Sequence, residues 1–199
     1  MKGAMIVTKR MDSQMKGMFM AATLVGMVVA SNGWLAGPAS AASAREIDVS
    51  VDVALERFEK EVNGAKAFLE SSKGVLVFPS VIKAGVGFGG EYGEGALRID
   101  GKTVDYYNTA AGSFGLQFGA QAKTVILVFL DAEALKRFRE SEGWKAGVDG
   151  SVAVVTLGAG GAIDTTKMKD PIVGFLLGQK GLMYNLTLEG SKFTKMDKS

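Results

Sequence analysis

Residues Ser113 to Gln121 alternate strictly. Phe114, Leu116, Phe118 and Ala120 point one way, and Ser113, Gly115, Gln117, Gly119 and Gln121 point the other. A period of two belongs to a strand and cannot be laid on one face of a helix. Glycine supplies part of the alternate row, as it does elsewhere in the chain. Of 27 glycines, 22 lie beyond residue 41, roughly twice the ~7% of ordinary proteins. The same region is rich in Val, Leu, Ile and Phe, so the glycines signal bends, bulges and close backbone approach rather than disorder.

Other segments extend the β pattern. Val75-Leu76-Val77-Phe78 is a buried strand halted by Pro79, followed by strands at Val86–Tyr92 and Ala96–Ile99. Asp100-Gly101 predicts a tight turn into Thr103–Tyr107, because both residues tolerate positive φ. Thr124–Leu130, Ser151–Leu157, Ile172–Leu177 and Leu182–Leu188 complete the expected strands, with a polar loop at Asp164–Asp170 and a frayed tail from Lys192. Two helices interrupt them. Leu55, Phe58, Val62, Ala65 and Leu69 form one apolar stripe that predicts a helix over Ala54–Leu69, weakened at Gly64. Its balanced charges favour packing on the core over lying in a lipid surface. Asp131 is placed to cap a second helix with Leu135 and Phe138 turned inward, ending by Gly143. The expected fold is α+β, with a mainly antiparallel, strongly bent or barrel-like sheet, an N-terminal amphipathic helix and one short central helix.

Residues 1–41 have a different character. Lys2, Lys9, Arg10 and Lys16 precede an apolar run from Met18 to Ala30, and Ala39-Ser40-Ala41 fits a signal peptidase site. A second such triplet, Ala42-Ser43-Ala44, lies just downstream. This order predicts a secretory signal peptide over 1–41, a single domain over 42–199, and a periplasmic or secreted product; a retained anchor is the alternative. Cleavage after Ala41 removes four basic residues and one acidic residue from totals of 23 and 21. The remainder has 19 against 20, a net charge of −1. A domain so balanced has no global field to attract nucleic acid, and binding to an anionic surface requires a local patch.

Cysteine and histidine are both absent. Disulfides, thiolate and histidine metal sites, and Ser–His or Cys–His nucleophilic chemistry are thereby excluded. No enzyme activity, metal or cofactor is expected. Gly85-Val86-Gly87-Phe88-Gly89-Gly90 has the spacing of a dinucleotide-binding loop, but Glu91-Tyr92-Gly93-Glu94-Gly95 follows instead of a helix. Gly158-Ala159-Gly160-Gly161 lacks the lysine and hydroxyl of a phosphate loop. Glu91 and Glu94 have the composition of a glycosidase carboxylate pair, although carboxylates at a glycine-rich turn are more often solvated. Asn185-Leu186-Thr187 matches a glycosylation acceptor and reads as strand.

Four segments in order resemble the SYLF domain, a lipid-binding family of bacteria and eukaryotes. They are Lys73-Gly74-Val75-Leu76-Val77-Phe78-Pro79 running through Lys83-Ala84-Gly85 to Gly89–Gly95; Gly112–Ala120; Gly147-Val148-Asp149 with Ser151-Val152-Ala153; and Lys180-Gly181-Leu182 through Leu188-Glu189-Gly190. The pattern departs at Asp105–Ala110, which lacks the tryptophan and proline common in the family, and at Asn185, where a small residue is usual. The resemblance implies binding of acidic phospholipids, phosphoinositides in eukaryotic members, which also connect to actin. A phospholipid or membrane surface is thus the expected partner, with an envelope protein as the alternative. Lys60, Lys66, Lys73 and Lys83 border the first helix and first motif and are the candidate lipid-binding residues. Glu56, Glu59, Glu61 and Glu70 share their region.

Overall fold

The computed structural model describes residues 42–155, 170–178, 181–182 and 188–198, with backbone alone at 85–88, 113–120 and 181–182. They belong to one compact unit, Ala42–Ser199. The predicted signal peptide, the glycine run at 158–161 and the Asn185 triplet lie outside the described residues.

The first helix starts earlier than its apolar stripe. Ser43 caps α1 (Ala44–Glu61) through a reciprocal capping box: its hydroxyl accepts from the Glu46 amide, and Glu46 accepts from the Ser43 amide. Two orphan donors at the helix start are satisfied this way. Gly64, in the left-handed region at φ 84°, then breaks the expected continuous helix and starts a short α2 (Ala65–Glu70). Ile47, Val51, Ala54, Phe58, Val62, Ala65 and Phe68 are all buried, so the stripe packs on the core.

The expected short strands fuse into two very long ones, β1 (Gly74–Ile99) and β2 (Lys102–Phe129), paired antiparallel along their length. Between them Asp100 and Gly101 have φ of 50° and 74°. Two positive angles in a two-residue turn match the twist of a hairpin. Pro79 does not halt β1. It sits where the register shifts between Phe78 and Val81, an irregularity where a missing N–H removes no ladder bond.

β1 also folds back on itself. A Cβ on Gly93 would lie 2.7 Å from the Ser80 carbonyl, and one on Gly95 would collide with the Val77 carbonyl. Residues 80 and 93 are separated by about 43 Å in a straight strand. The β1–β2 ribbon is therefore sharply bent, and glycine at 93 and 95 lets its two limbs approach. This bend produces the curled, half-barrel sheet that the glycine content predicts.

β2 is central. Beyond β1, its other edge carries β7 (Lys192–Met196) along Tyr106–Ala110 and β5 (Ile172–Gly178) along Thr124–Phe129. β3 (Trp144–Lys145) pairs with β7, and β6 (Gly181–Leu182) pairs with β5. β4 (Ala153–Val154) runs parallel to β5, which makes the seven-stranded sheet of the described residues mixed. The tail from Lys192 is not frayed: it is a strand whose Phe193 is buried. A single inward aromatic among charged neighbours is a weak period-two signal, and its partner strand is far away in sequence. Asp105–Ala110, where the family pattern is broken, is continuous strand between β1 and β7.

Among the described residues, each face of the sheet carries a buried core. On one, α1 and α2 cover Val75, Val77, Ala96, Ile126, Val128, Val173, Phe175 and Leu177. On the other, α3 (Ala132–Glu140) packs on Leu76, Phe78, Leu97, Tyr107, Leu127, Phe129 and Phe193. Asp131 caps α3 as expected, accepting from the Ala134 amide at 2.8 Å.

Candidate functional site

The candidate lysines from the sequence occupy different settings. Lys60 is exposed on α1 and faces Glu56 at 3.8 Å, a surface pair of small energetic weight. Lys66 on α2 and Lys73 just before β1 are exposed. Lys83 is partly enclosed and ion-paired with Glu91, so it differs from the free surface lysine expected. Ten strand positions, about 33 Å of chain, separate Lys73 from Lys83.

Glu91 and Glu94 are not solvated and do not form a carboxylate pair. Three positions apart on a strand, they project to opposite faces. Glu91 binds Lys83 and Lys123. Glu94 accepts from the Tyr92 hydroxyl at 2.9 Å and from Lys198 at 3.1 Å, while Lys198 also donates to the Ala42 carbonyl. Burial, then the bond to Glu94, raises the Tyr92 pKa. Gly85–Gly90 lies within β1 rather than before a helix, which removes the geometry of a dinucleotide site.

A cationic pocket lies between α3 and β7. Ala132, Leu135, Lys136, Arg139, Glu140 and Lys195 line an open pocket of about 400 Å³. Behind it, the carboxylate of Asp105 is 7% exposed and holds two of the cations: Arg139 Nε donates at 2.8 Å, and Lys195 binds the other oxygen. Lys136 is exposed, and no carboxylate pairs with it among the described residues. The pocket and its carboxylate therefore combine three cations with two anions, and the excess is positive. Tyr107 sits beside this group with its ring 5.0 Å from Phe138. Its hydroxyl has no partner among the described residues. Burial first and the Asp105 charge second push its pKa up to about 12, with Arg139 opposing.

The sequence reading missed this pocket because Lys195 lay in the supposed tail and α3 is remote from it in sequence. Asp105 offered one clue. It shares a strand row with Tyr107 and Thr109, and an acid in a buried row needs cationic partners.

The arrangement suits noncovalent anion binding: flexible ammonium groups and a guanidinium steadied by a buried carboxylate. No helix among the described residues is long and apolar enough to cross a membrane. No curated protein matches the chain. A family model described as "Ysc84: Las17-binding protein actin regulator" matches residues 110–199, the stretch holding most of β2 and all of α3, β3, β4, β5, β6 and β7. That match agrees with the order of glycine-rich segments along the chain and is consistent with a SYLF-domain family.

Proposed function

We propose that the chain is an exported, non-catalytic module that binds acidic phospholipid surfaces. The observation carrying this reading is the cationic pocket of Lys136, Arg139 and Lys195, in the family-matched segment of a domain with no overall positive charge. Residues 1–41 support export, and the absence of histidine and cysteine supports a binding role over catalysis. A basic residue at an anionic surface contributes about 1 kcal/mol, and Lys136, unpaired among the described residues, supplies the docking point beside Arg139 and Lys195, which Asp105 holds in place.

Co-sedimentation with phosphatidylglycerol vesicles, compared with phosphatidylcholine vesicles, tests the proposal. Binding to the anionic vesicles is expected to fall with salt, since the screening length is about 10 Å at 0.1 M. The double variant Lys136→Glu, Lys195→Glu is expected to abolish it, whereas charge reversal at Lys66 and Lys73 tests the alternative lysines. Equal binding to both vesicle types would overturn the reading. N-terminal sequencing of protein from its host tests export: Ala42 or a residue shortly after it is expected first, and a retained Met1 or Met15 would refute it.

A protein partner is the second reading. Among the described residues β1 pairs with β2 alone, leaving its outer edge without a strand neighbour, and an unpaired edge is a template for strand addition. Failure of vesicle binding, together with an envelope-protein pull-down that proline substitutions along the β1 edge abolish, would favour it.

A further inference from the structure

Lys83, Glu91 and Lys123 meet only because the ribbon is bent. Eight positions separate Lys83 from Glu91 on β1, about 26 Å of straight strand. Glu91 is in register with Ala111, and twelve positions, about 40 Å, separate Ala111 from Lys123 along β2. Yet Lys83 Nζ lies 3.7 Å from one Glu91 oxygen, and Lys123 Nζ lies 2.6 Å from the other. The three side chains are 29%, 12% and 15% exposed for Lys83, Lys123 and Glu91 respectively. Two ammonium groups thus share a single carboxylate inside the bend.

The charge does not balance there. No other carboxylate pairs with either lysine among the described residues, which leaves one excess positive charge in an enclosed place. Enclosed charges are retained where a partner neutralises them. Lys83 is also too far from Glu91 for a hydrogen bond and makes none among the described residues. No protein acceptor among the described residues takes up its three donors. The two lysines offer more donors than the two oxygens of Glu91 can engage, and a phosphate group has three or more oxygens to accept them.

We infer that the inside of the ribbon bend is a phosphate-binding site, built from Lys83 and Lys123, with Glu91 setting its affinity. Phosphate at Lys83 completes the group at two cations and two anions, while Glu91 stays on Lys123 and lowers the site's attraction for anions. The site takes a phosphate group, free in solution or carried on a lipid headgroup. Only the headgroup source rests on the lipid-surface proposal, and the residues are separate from those of the α3 pocket.

Amine-acetylation footprinting of the intact chain, read by mass spectrometry, tests this. Inorganic phosphate is expected to slow labelling of Lys83 and Lys123 severalfold relative to Lys60 and Lys66, and chloride at equal ionic strength is not. Glu91→Gln is expected to tighten phosphate binding about tenfold, as removal of a like charge at a partly buried site should. Protection by phosphatidylglycerol vesicles as well as by phosphate identifies a headgroup as one source; protection by phosphate alone identifies the free ion. The Lys136→Glu, Lys195→Glu variant is expected to keep its phosphate protection. Should Glu91→Gln fail to fold, the wild-type footprint decides alone. Unchanged labelling of Lys83 and Lys123 with both phosphate and anionic vesicles overturns the site, even if the vesicles bind through α3.

Discussion

On the face covered by α1 and α2, the rings of Phe58 and Phe68 both pack on one partner, Phe175, at 4.7 and 5.7 Å. The rest of that face is aliphatic, and polar ties secure its edge: Asp48 accepts from Thr103 and Tyr106, and Arg98 donates to Asp52. On the opposite face, one ring in a nine-residue helix gathers four others. Phe138 lies 5.0 Å from Tyr107 and from Phe129, 5.5 Å from Trp144 and 6.2 Å from Phe193. The long helix spreads its burial over many small contacts, and the short one concentrates it at a point. Helix length is thus a poor guide to which helix the sheet depends on.

Phe138→Ala should expose this difference most clearly. Its expected cost is about 3–5 kcal/mol, measured by denaturant unfolding, and it should exceed that of Phe58→Ala. Equal costs would break the comparison. Phe58→Asp, which places an unpaired charge in the other core, should unfold the domain. A folded Phe58→Asp protein would mean that the α1 face is not a core at all.

An alkaline titration is expected to show a smaller effect, confined to the α3 face. The folded pKa of Tyr107 is pushed up to about 12 from 10.0. Above pH 10 the unfolded chain therefore loses this proton first. Its contribution is complete below pH 10 and is lost as pH rises toward 12, by up to about 2–3 kcal/mol. Tyr107→Phe should remove that loss and cost little at neutral pH, because the hydroxyl has no partner among the described residues. An unchanged alkaline profile in this variant would assign the loss elsewhere.

The helix starts should differ least. Ser43→Ala and Asp131→Ala should each cost about 1 kcal/mol, with Ser43 the more costly because its hydroxyl both accepts from the Glu46 amide and donates to the Glu46 carboxylate. Glu46 takes part in that box, and hydrogen bonds from Ser43 hold its carboxyl below the usual range. Acid should therefore weaken the α1 start as pH falls through that lowered value, and the Ser43→Ala variant, which keeps the backbone bond to Glu46 but loses the hydroxyl, should be less sensitive to it.

Periodicity made the local elements legible. Asp131, the Asp100-Gly101 turn, the row Leu55–Phe58–Val62–Ala65 and the strand Ile172–Leu177 can all be read from neighbouring residues. The signals that failed were nonlocal. Pro79 and the glycines looked like strand ends because a bulge and a bend use the same residues as a stop. Lys192–Met196 looked like a tail because its partner, Tyr106–Ala110, lies far upstream. The ion groups were hidden for the same reason. Glu91 finds Lys123, and Asp105 finds Arg139 and Lys195, through curvature and topology rather than spacing.

The long-distance pairing also bears on how the chain reaches this state. Ala110 pairs with Lys192 and Tyr106 with Met196, Arg57 reaches a carbonyl 121 positions away, and Lys198 reaches one 156 positions away. Such high contact order puts folding in the millisecond-to-second range rather than the microsecond range of helical bundles. Until the last strand arrives, the Tyr106–Ala110 edge of β2 stands open, and Phe138 and Trp144 lack the Phe193 ring that packs against them. An open edge beside an incomplete aromatic cluster is the arrangement in which an unfinished chain is expected to aggregate.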